Sequence, residues 1–312
     1  MNRSSGRAVV FAYHNVGVRG LAVLLALGVE VPLVITHNDN PDENIWFESV
    51  SELAAWHGIP TVTPDNANHP EIVSIISESR PDWIFSFYYR HILGEEILRL
   101  ATHGAYNLHG SLLPRYRGRA PVNWAVLHGE SETGVSLHRM VARPDAGALL
   151  GQRAVSILPN DSAYQVFGKI TCAGERLLLE QIPRIQAGTA VETPLDLTAG
   201  SYFSGRSPED GRIDWSAGTW DIHNLIRAVA PPYPGAFFDW NQQRISVLGS
   251  YWKNEAARGK GPRLYWEDGQ CHFDGCDGRR LLLTRLQWQG RDLDKAGFIQ
   301  CFGDAVVHLS GS

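Results

Sequence analysis

The chain has 312 residues, with 28 Lys+Arg against 33 Asp+Glu and a formal net charge of −5. Hydrophobic residues make up 44% and charged residues 20%, values that argue against disorder and allow one large or two medium domains. Residues 20–79 contain neither Lys nor Arg, and residues 206–312 hold 13 basic and 13 acidic side chains. A protein that binds nucleic acid needs basic surface to neutralise phosphates, so the composition argues against a nucleic-acid partner.

The sequence also bears on the compartment. Residues 1–7 are polar, and Tyr13, His14 and Asn15 interrupt the apolar run that follows, which is not typical of a signal peptide. No apolar run approaches the ~18 residues that span a bilayer. These features predict a soluble, cytoplasmic protein without a membrane partner.

Cysteine spacing gives little reason to expect a metal. Cys271 and Cys276 enclose His272 and Asp274, but the spacing is not CxxC, and no second pair completes a tetrahedral site. Reduced thiols, buried or free, are the favoured interpretation, with no metal ion.

Short β-branched runs alternate with helical patterns over the first two hundred residues, which is typical of a parallel α/β sheet. The predicted strands are 8–13, 32–36, 60–63, 83–87 and 105–108, and the predicted helices are 18–27, 43–57, 71–78 and 94–101. Residues 133–140 and 148–157 alternate like a hairpin. Ser162 and Gln165 then predict a capping box at the start of a long helix toward Arg184.

A cluster of Gly, Ser and Pro at 205–211 predicts a linker, and we place the domains at 1–204 and 205–312. After a predicted helix at 220–230, strands are expected at 236–240, 244–252, 263–266 and 280–288. Several short strands with turn signals indicate a small barrel or sandwich. Trp240, Trp252 and Trp266 are interpreted as filling of that barrel.

The first strand–helix junction reads YHNVGVRG and lacks the Gly-x-Gly-x-x-Gly of dinucleotide-binding folds. Neither a Walker loop nor a Gly-x-Ser-x-Gly nucleophile elbow is present. The sheet is therefore expected to bind another ligand at the carboxyl ends of its strands.

The most polar region follows the strand predicted at 105–108. Asn107 and His109 are two residues apart and face the same side of an extended chain, and Gly110 lets the backbone turn near a ligand. Asn offers an amide donor for an oxyanion, and His transfers protons near neutral pH. A structural histidine is the alternative.

Asp145 lies in a turn between two predicted strands, where it is either a turn former or a carboxylate that raises the pKa of His109. Arg115, Arg117 and Arg119 alternate, and an extended segment would place them on one side to bind a diphosphate or a glutamate tail. A solvated loop is the alternative for the arginines.

The run NLHGSLLP at 107–114, followed by Asp145-Ala-Gly, resembles the 10-formyltetrahydrofolate-dependent formyltransferases. The resemblance extends through FAYHNVG, DNPDEN, FSFYYRHILGEEIL, RYRGRAPVNW, GRSPEDGRIDW and PPYPGAF, and becomes weaker after about residue 240. It implies a Rossmann-like formyltransferase domain followed by a small OB-like β-barrel. The implied co-substrate is 10-formyltetrahydrofolate.

The resemblance also implies roles for individual residues. Asn107 would stabilise the oxyanion formed when an amine attacks the formyl carbon, His109 would move the proton, and Asp145 would hold His109. The implied folate contacts are His91, Ile92, Leu93, Arg119, Val141, Ala142, Arg143, Pro144 and Asp145.

The quoted segments are most similar to the family branch that formylates UDP-4-amino-4-deoxy-L-arabinose. Members of that branch continue into a decarboxylase domain, so the resemblance implies either a separate decarboxylase partner or another amino sugar. Tyr13, His14, Asn123 and Trp124 are candidates for contact with the sugar nucleotide, and Trp124 is equally a candidate for the core.

Three other functions are weighed. Methionyl-tRNA formyltransferase shares the triad, but the segment THNDNPDE at 36–43 is acidic where the tRNA enzyme carries a basic insertion. A formyltetrahydrofolate hydrolase could use the same three residues with water. A non-catalytic binding protein is disfavoured because Asn107, His109 and Asp145 occur together.

Overall fold

A computed structural model of the chain describes residues 6–309 and contains two compact units. The first unit comprises the residues up to 121 together with 133–155 and 168–203, and the second comprises 122–132, 156–167 and the residues from 204 onward. Two short stretches that precede residue 204 thus lie with the second unit. A domain boundary between residues 204 and 205 stays a prediction.

The described residues up to Phe203 form nine strands and six α-helices. The strands are β1 (Arg7–Ala12), β2 (Glu30–Ile35), β3 (Thr61–Val62), β4 (Trp83–Phe87), β5 (Gly104–His109), β6 (Arg117–Gly118), β7 (Glu132–Arg139), β8 (Leu149–Ser156) and β9 (Tyr202–Phe203). The helices are α1 (His14–Ala26), α2 (Val50–Trp56), α3 (Pro70–Glu78), α4 (Glu95–Leu98), α5 (Pro121–Leu127) and α6 (Ala163–Gln186).

Seven of these strands form one sheet in the order β3-β2-β1-β4-β5-β7-β8. The first five run parallel, and β7 runs antiparallel to β5. The predicted α/β fold with a parallel sheet is therefore confirmed. Because β1, β4 and β5 are parallel, the loops that follow them leave from the same edge of the sheet.

The central strands are apolar because helices cover both faces of a parallel sheet. Phe11, Phe85 and Phe87 are fully buried, and burying a side chain of this size stabilises the fold by roughly 1.5–3 kcal/mol. Gly20 lets α1 approach β4, since a Cβ atom there would lie 2.5 Å from the Phe87 ring.

The helix predicted at 43–57 begins instead at Val50, so its predicted start is wrong. Ser49 caps α2, and its Oγ accepts a hydrogen bond from the Glu52 N–H at 3.3 Å. Glu43 lies outside the helix and pairs with Arg90. The Arg90 guanidinium donates to both carboxylate oxygens of Glu43, at 2.7 and 2.8 Å. A contact distant in sequence thus overrides local helix propensity.

The predicted capping box is confirmed. Ser162 N–H donates to Gln165 Oε1 at 2.8 Å, and Gln165 N–H donates to Ser162 Oγ at 3.3 Å. These bonds satisfy two backbone donors at the start of α6, which would otherwise lack partners.

The remaining part of the chain is a curled antiparallel sheet, a half-barrel, with two helices. Its elements are α7 (Thr219–Val229), β10 (Ala236–Trp240), β11 (Gln243–Ala256), β12 (Arg263–Glu267), β13 (Gln270–Asp274), β14 (Arg279–Trp288), β15 (Arg291–Asp292), α8 (Lys295–Phe302) and β16 (Val306–His308). The order is β10-β11-β14-β13-β12-β16, and β15 pairs with β14. The predicted C-terminal β domain is confirmed.

Trp240, Trp252 and Trp266 are partly buried and pack on the hydrophobic core of the second unit, which confirms their interpretation as filling. His223 on α7 is wholly buried, with Nδ1 2.8 Å from Ser250 Oγ and Nε2 2.9 Å from the Pro159 carbonyl oxygen. Burial lowers the pKa of His223 to about 4, although the bond to Pro159 acts in the opposite direction.

Across residues 6–309, none of the helices combines the length and the apolar character needed to cross a bilayer.

Candidate active site

Strand β5 supplies two of the predicted catalytic side chains, Asn107 and His109, at its carboxyl end. The strand lies between β4 and β7 and is among the most buried in the sheet. A buried central strand holds its side chains with little freedom, which suits groups that must be positioned accurately.

His109 is 7% exposed, and both of its ring nitrogens face oxygen atoms. Nε2 lies 2.8 Å from the Tyr116 carbonyl oxygen, and Nδ1 lies 3.5 Å from Asp145 Oδ1. A nitrogen that faces a carbonyl oxygen at this distance must donate, so Nε2 carries a hydrogen. Nδ1 is left as the atom that faces the carboxylate.

Asp145 lies in the turn between β7 and β8 with φ 51°, and its side chain is 12% exposed. The Gly118 N–H donates to Oδ2 at 2.9 Å. Burial by itself would raise the pKa of Asp145, but the neighbouring His109 and His138 side chains and the Gly118 N–H outweigh it and lower the pKa. The carboxylate is therefore ionised at neutral pH.

His138 belongs to the same group of side chains, although its sequence context did not single it out. It lies on β7 directly opposite Asn107 on β5. His138 Nε2 is 3.1 Å from Asn107 Nδ2 and 3.6 Å from Asp145 Oδ1, while Nδ1 donates to the Arg139 carbonyl at 2.9 Å. The available signal in the sequence was a histidine near the end of a predicted strand.

Asp145 Oδ1 thus lies between two imidazole rings, at 3.5 and 3.6 Å from their nearest nitrogens. The structure brings Asn107, His109 and Asp145 together through these contacts. An amide donor, an imidazole and an ionised carboxylate within one buried group are suited to proton transfer beside a developing oxyanion.

The predicted folate loop after β4 is held by Asn68. Its side-chain Nδ2 donates to the Ile92 carbonyl at 2.9 Å, and its Oδ1 accepts from the Gly94 N–H at 2.6 Å. Ile92 is 66% exposed, whereas Leu93 is buried in the core of the first unit. Of these two predicted contacts, only Ile92 presents an apolar side chain to a ligand.

The other predicted folate residues lie in two loops. Val141, Ala142 and Arg143 are exposed, and Pro144 is half-buried ahead of Asp145. The exposed His91 ring meets the His37 ring edge to face, with centroids 4.7 Å apart. Arg119 Nη2 donates to the Arg90 carbonyl at 3.2 Å, which joins its loop to the loop that carries Ile92.

The three alternating arginines do not share one face, and that expectation is wrong. Arg115 and Arg119 are exposed, but Arg117 is 6% exposed. Tyr116 between them has φ 56°, which breaks the extended alternation. Within residues 6–309, Arg117 Nε is buried without a hydrogen-bond partner and the guanidinium forms no ion pair.

Tyr13 and His14 lie at the end of β1 and the start of α1. The buried Tyr13 donates its hydroxyl to Asp39 Oδ1 at 2.7 Å. His14 stacks on Phe47 with centroids 4.0 Å apart. Burial, with a contribution from Arg90, lowers the pKa of His14 to about 3. Tyr13 and Asp39 border a cavity of about 160 Å³, whose other lining residues are Thr36, His37, Asn38, Phe47, Glu48, Ser49, Val50 and Ser51.

Asn123 and Trp124 belong to the second compact unit and have partners there. Asn123 Nδ2 donates to the Ala228 carbonyl at 2.8 Å, and Trp124 Nε1 donates to the Ser204 carbonyl at 3.0 Å. The Arg206 guanidinium lies 4.8 Å above the centroid of the Trp124 ring. Sugar contact by these residues stays a prediction.

The described part of the chain contains no group of three or more His, Cys, Asp or Glu side chains arranged to hold a metal ion. Cys271 is buried, and burial raises the pKa of its thiol to about 12, while Cys276 is exposed.

Two family models match most of the chain. Residues 24–182 match the family described as formyl transferase, and residues 206–300 match the formyl transferase C-terminal domain. The first match spans half of the chain. The chain belongs to the formyl transferase family.

Several solved structures share this fold. An N-formyltransferase from Helicobacter canadensis, in complex with folinic acid and dTDP-3-aminofucose, is 22% identical with a TM-score of 0.71 over 89% of this chain and 98% of that one. WlaRD, a sugar 3N-formyl transferase with dTDP and 5-N-formyl-THF, is 20% identical with a TM-score of 0.73 over 93% and 100%.

HypX from Aquifex aeolicus, in complex with tetrahydrofolic acid, is 19% identical with a TM-score of 0.64 over 95% of this chain and 47% of that one. At these identities the similarity shows a shared fold.

Proposed function

We propose that this protein transfers the formyl group of 10-formyltetrahydrofolate to the amine of a nucleotide-linked amino sugar. The observation that carries the proposal is the ionised Asp145 carboxylate beside His109. Asn107 lies on the same strand as His109, and its side chain contacts His138 on the neighbouring strand. The family assignment and the folate and nucleotide-sugar complexes of proteins with this fold support the proposal.

Each side chain has a chemical task in this reaction. The substrate amine attacks the formyl carbon, and the Asn107 amide donates to the formyl oxygen as negative charge develops there. One well-placed donor of this kind lowers a barrier by roughly 3–4 kcal/mol. The bond between the formyl carbon and N10 of the folate then breaks, so the attacking amine must lose a proton and N10 must gain one.

His109 and Asp145 handle that proton. The Nε2 hydrogen of His109 is donated to the Tyr116 carbonyl. Nδ1, which faces Asp145, is therefore the atom that takes up and releases the proton. The ionised carboxylate stabilises the imidazolium that forms when the amine gives up its proton. The same proton then passes to the leaving nitrogen.

The residues present fit a folate. A flat pterin ring needs apolar cover and backbone partners, and the exposed side chains of Ile92 and Val141 offer apolar surface in the two loops assigned to it. We therefore infer that His91, Ile92, Arg119 and the stretch 141–145 bind 10-formyltetrahydrofolate, while Leu93 supports the loop from the core.

A phosphate-bearing acceptor suits Arg117. A buried guanidinium without a carboxylate partner is costly, and an anion removes that cost. A nucleoside diphosphate supplies such an anion. A tRNA would also need extended basic surface, but residues 20–79 contain no Lys or Arg, and Glu43 pairs with Arg90.

Among amino sugars, we propose UDP-4-amino-4-deoxy-L-arabinose. The segments quoted above resemble the formyltransferase half of ArnA, the bifunctional polymyxin-resistance protein that acts on this sugar for lipid A modification. In that setting a decarboxylase supplies the amino sugar's precursor and is the proposed partner.

The test is a panel of acceptors with 10-formyltetrahydrofolate, in which release of tetrahydrofolate and the mass of the acceptor are measured. The acceptors are UDP-4-amino-4-deoxy-L-arabinose, dTDP-linked amino hexoses, methionyl-tRNA and none. Formylation of a nucleotide sugar supports the proposal, formylation of tRNA alone refutes it, and folate turnover without acceptor identifies a hydrolase. His109→Gln should reduce transfer to a small residual rate, whereas the same change at the exposed His57 should leave transfer unchanged.

A further inference from the structure

Two short segments, 116–119 and 201–203, form a parallel two-stranded clip that includes β6 and β9. The Arg117 N–H donates to the Ser201 carbonyl at 3.0 Å, and the Arg119 N–H donates to the Phe203 carbonyl at 3.0 Å. The two strands are about 85 residues apart in sequence. A distant stretch of chain therefore covers one edge of the loop that follows the catalytic strand.

The other polar groups of this loop contact the catalytic side chains. The Tyr116 carbonyl accepts from His109 Nε2 at 2.8 Å, and the Gly118 N–H donates to Asp145 Oδ2 at 2.9 Å. These two backbone groups are only two residues apart. The position of β6 thus determines the position of the imidazole and of the carboxylate together.

Tyr116 needs support to hold its conformation. Its φ of 56° lies in the left-handed region, which is strained for a non-glycine residue. Ser201 Oγ accepts a hydrogen bond from the Tyr116 N–H at 2.9 Å, and the Phe203 ring stacks on the Tyr116 ring at 5.3 Å with an interplanar angle of 18°. These contacts compensate for the strained backbone.

We propose that Ser201 is a positioning residue for formyl transfer, because its hydroxyl accepts the Tyr116 N–H and so helps to hold the left-handed backbone that aims the Tyr116 carbonyl at His109 Nε2. The kinetic test of this inference rests on the proposed function. Ser201 itself is not one of the three residues Asn107, His109 and Asp145. Without the hydroxyl, the Tyr116 N–H loses this partner and the left-handed backbone is held less firmly, although the Arg117 N–H still donates to the Ser201 carbonyl. His109 then exchanges its ring hydrogens between Nε2 and Nδ1 more readily.

The kinetic test compares Ser201→Ala with Ser201→Thr, which keeps the hydroxyl, and with Ser204→Ala, the same change at an exposed neighbour. Ser201→Ala should lower kcat about tenfold, the equivalent of one lost hydrogen bond, and leave both KM values within about twofold. The threonine variant and the Ser204 variant should keep wild-type kcat. Unchanged kcat in Ser201→Ala, or an equal loss in Ser204→Ala, overturns the proposal.

A double-variant measurement shows whether Ser201 acts through His109. In a His109→Gln background, adding Ser201→Ala should cost no further activity, because the imidazole on which it acts is gone. A further tenfold loss would show that Ser201 acts by another route and would overturn the proposal.

A third measurement needs no substrate. In ¹⁵N-labelled protein, His109 Nε2 should have the chemical shift of a protonated nitrogen, and Ser201→Ala should move it toward the average of the two tautomers. An identical His109 spectrum in wild type and Ser201→Ala overturns the proposal even where kcat falls. If the wild-type protein formylates no acceptor, the proposed function fails, and this spectrum still decides the role of Ser201.

Discussion

Gly118→Ala tests how closely the loop after β5 is packed. Gly118 has φ +93°, and a Cβ atom there would lie 2.2 Å from the Phe203 carbonyl oxygen, closer than any real contact. The variant must therefore separate β6 from β9. The left-handed backbone costs about 1–2 kcal/mol and the overpacking about 1–3 kcal/mol, so we expect the free energy of unfolding to fall by about 2–5 kcal/mol.

The same movement displaces the Gly118 N–H from the Asp145 carboxylate, to which it donates at 2.9 Å. A hydrogen bond to a charged group contributes about 1.5–3 kcal/mol, so kcat should fall roughly ten- to a hundredfold. The assays are urea unfolding followed by circular dichroism, and steady-state formyl transfer with the acceptor identified in the panel.

Gly188→Ala is the matched control. Gly188 also has a positive φ, +67°, but nothing lies within 4 Å of the Cβ it would gain. The Gly188→Ala variant should therefore lose only about 1 kcal/mol of the free energy of unfolding, from the backbone conformation alone, and keep a normal kcat. If Gly118→Ala is as stable and as active as Gly188→Ala, the close approach of β6 and β9 does not position the site, and the reasoning is refuted.

Three further changes have defined outcomes. Asp145→Asn should lower kcat a hundredfold or more. In urea titrations below about pH 4, this variant should lose less stability than the wild type does. The reason is that the lowered pKa of Asp145 stabilises the folded wild type only while the carboxylate is ionised. Arg117→Met should raise the KM for the nucleotide sugar about tenfold and leave that for folate unchanged; an equal rise in Arg99→Met, at an exposed arginine, would contradict this. From pH 7 to 5 the wild type should lose about 1–2 kcal/mol through His223, which the unfolded chain protonates near pH 6.5 and the folded chain only near pH 4. His223→Gln, which can keep both hydrogen bonds, should flatten this part of the curve, and an unchanged slope would contradict the assignment.

Local patterns determined much of the first two hundred residues. Strand β4 has the predicted bounds of 83–87, and the capping box at Ser162 and Gln165 forms as its spacing requires. Asn107 and His109 could be selected because residues two apart in a strand share a face. Periodicity, capping and turn chemistry act over a few residues, and they can therefore be seen in one sequence without knowledge of the fold.

Contacts between distant residues decided the rest. Glu43 stays out of α2 because Arg90 binds it, and His138 joins the site because β7 pairs with β5 opposite Asn107. Arg115, Arg117 and Arg119 do not share the expected common face. The left-handed conformation of Tyr116 interrupts their alternation, and Arg117 is buried.

By itself the sequence determined a parallel α/β sheet and a β-rich second part, and it predicted the three polar residues of the candidate site. Only the tertiary structure placed Ser201 beside Tyr116, about 85 residues away, and so linked β9 to His109. The physical reason is that strand pairing depends on backbone groups, which every residue carries, so side-chain identity alone does not reveal which segments will meet.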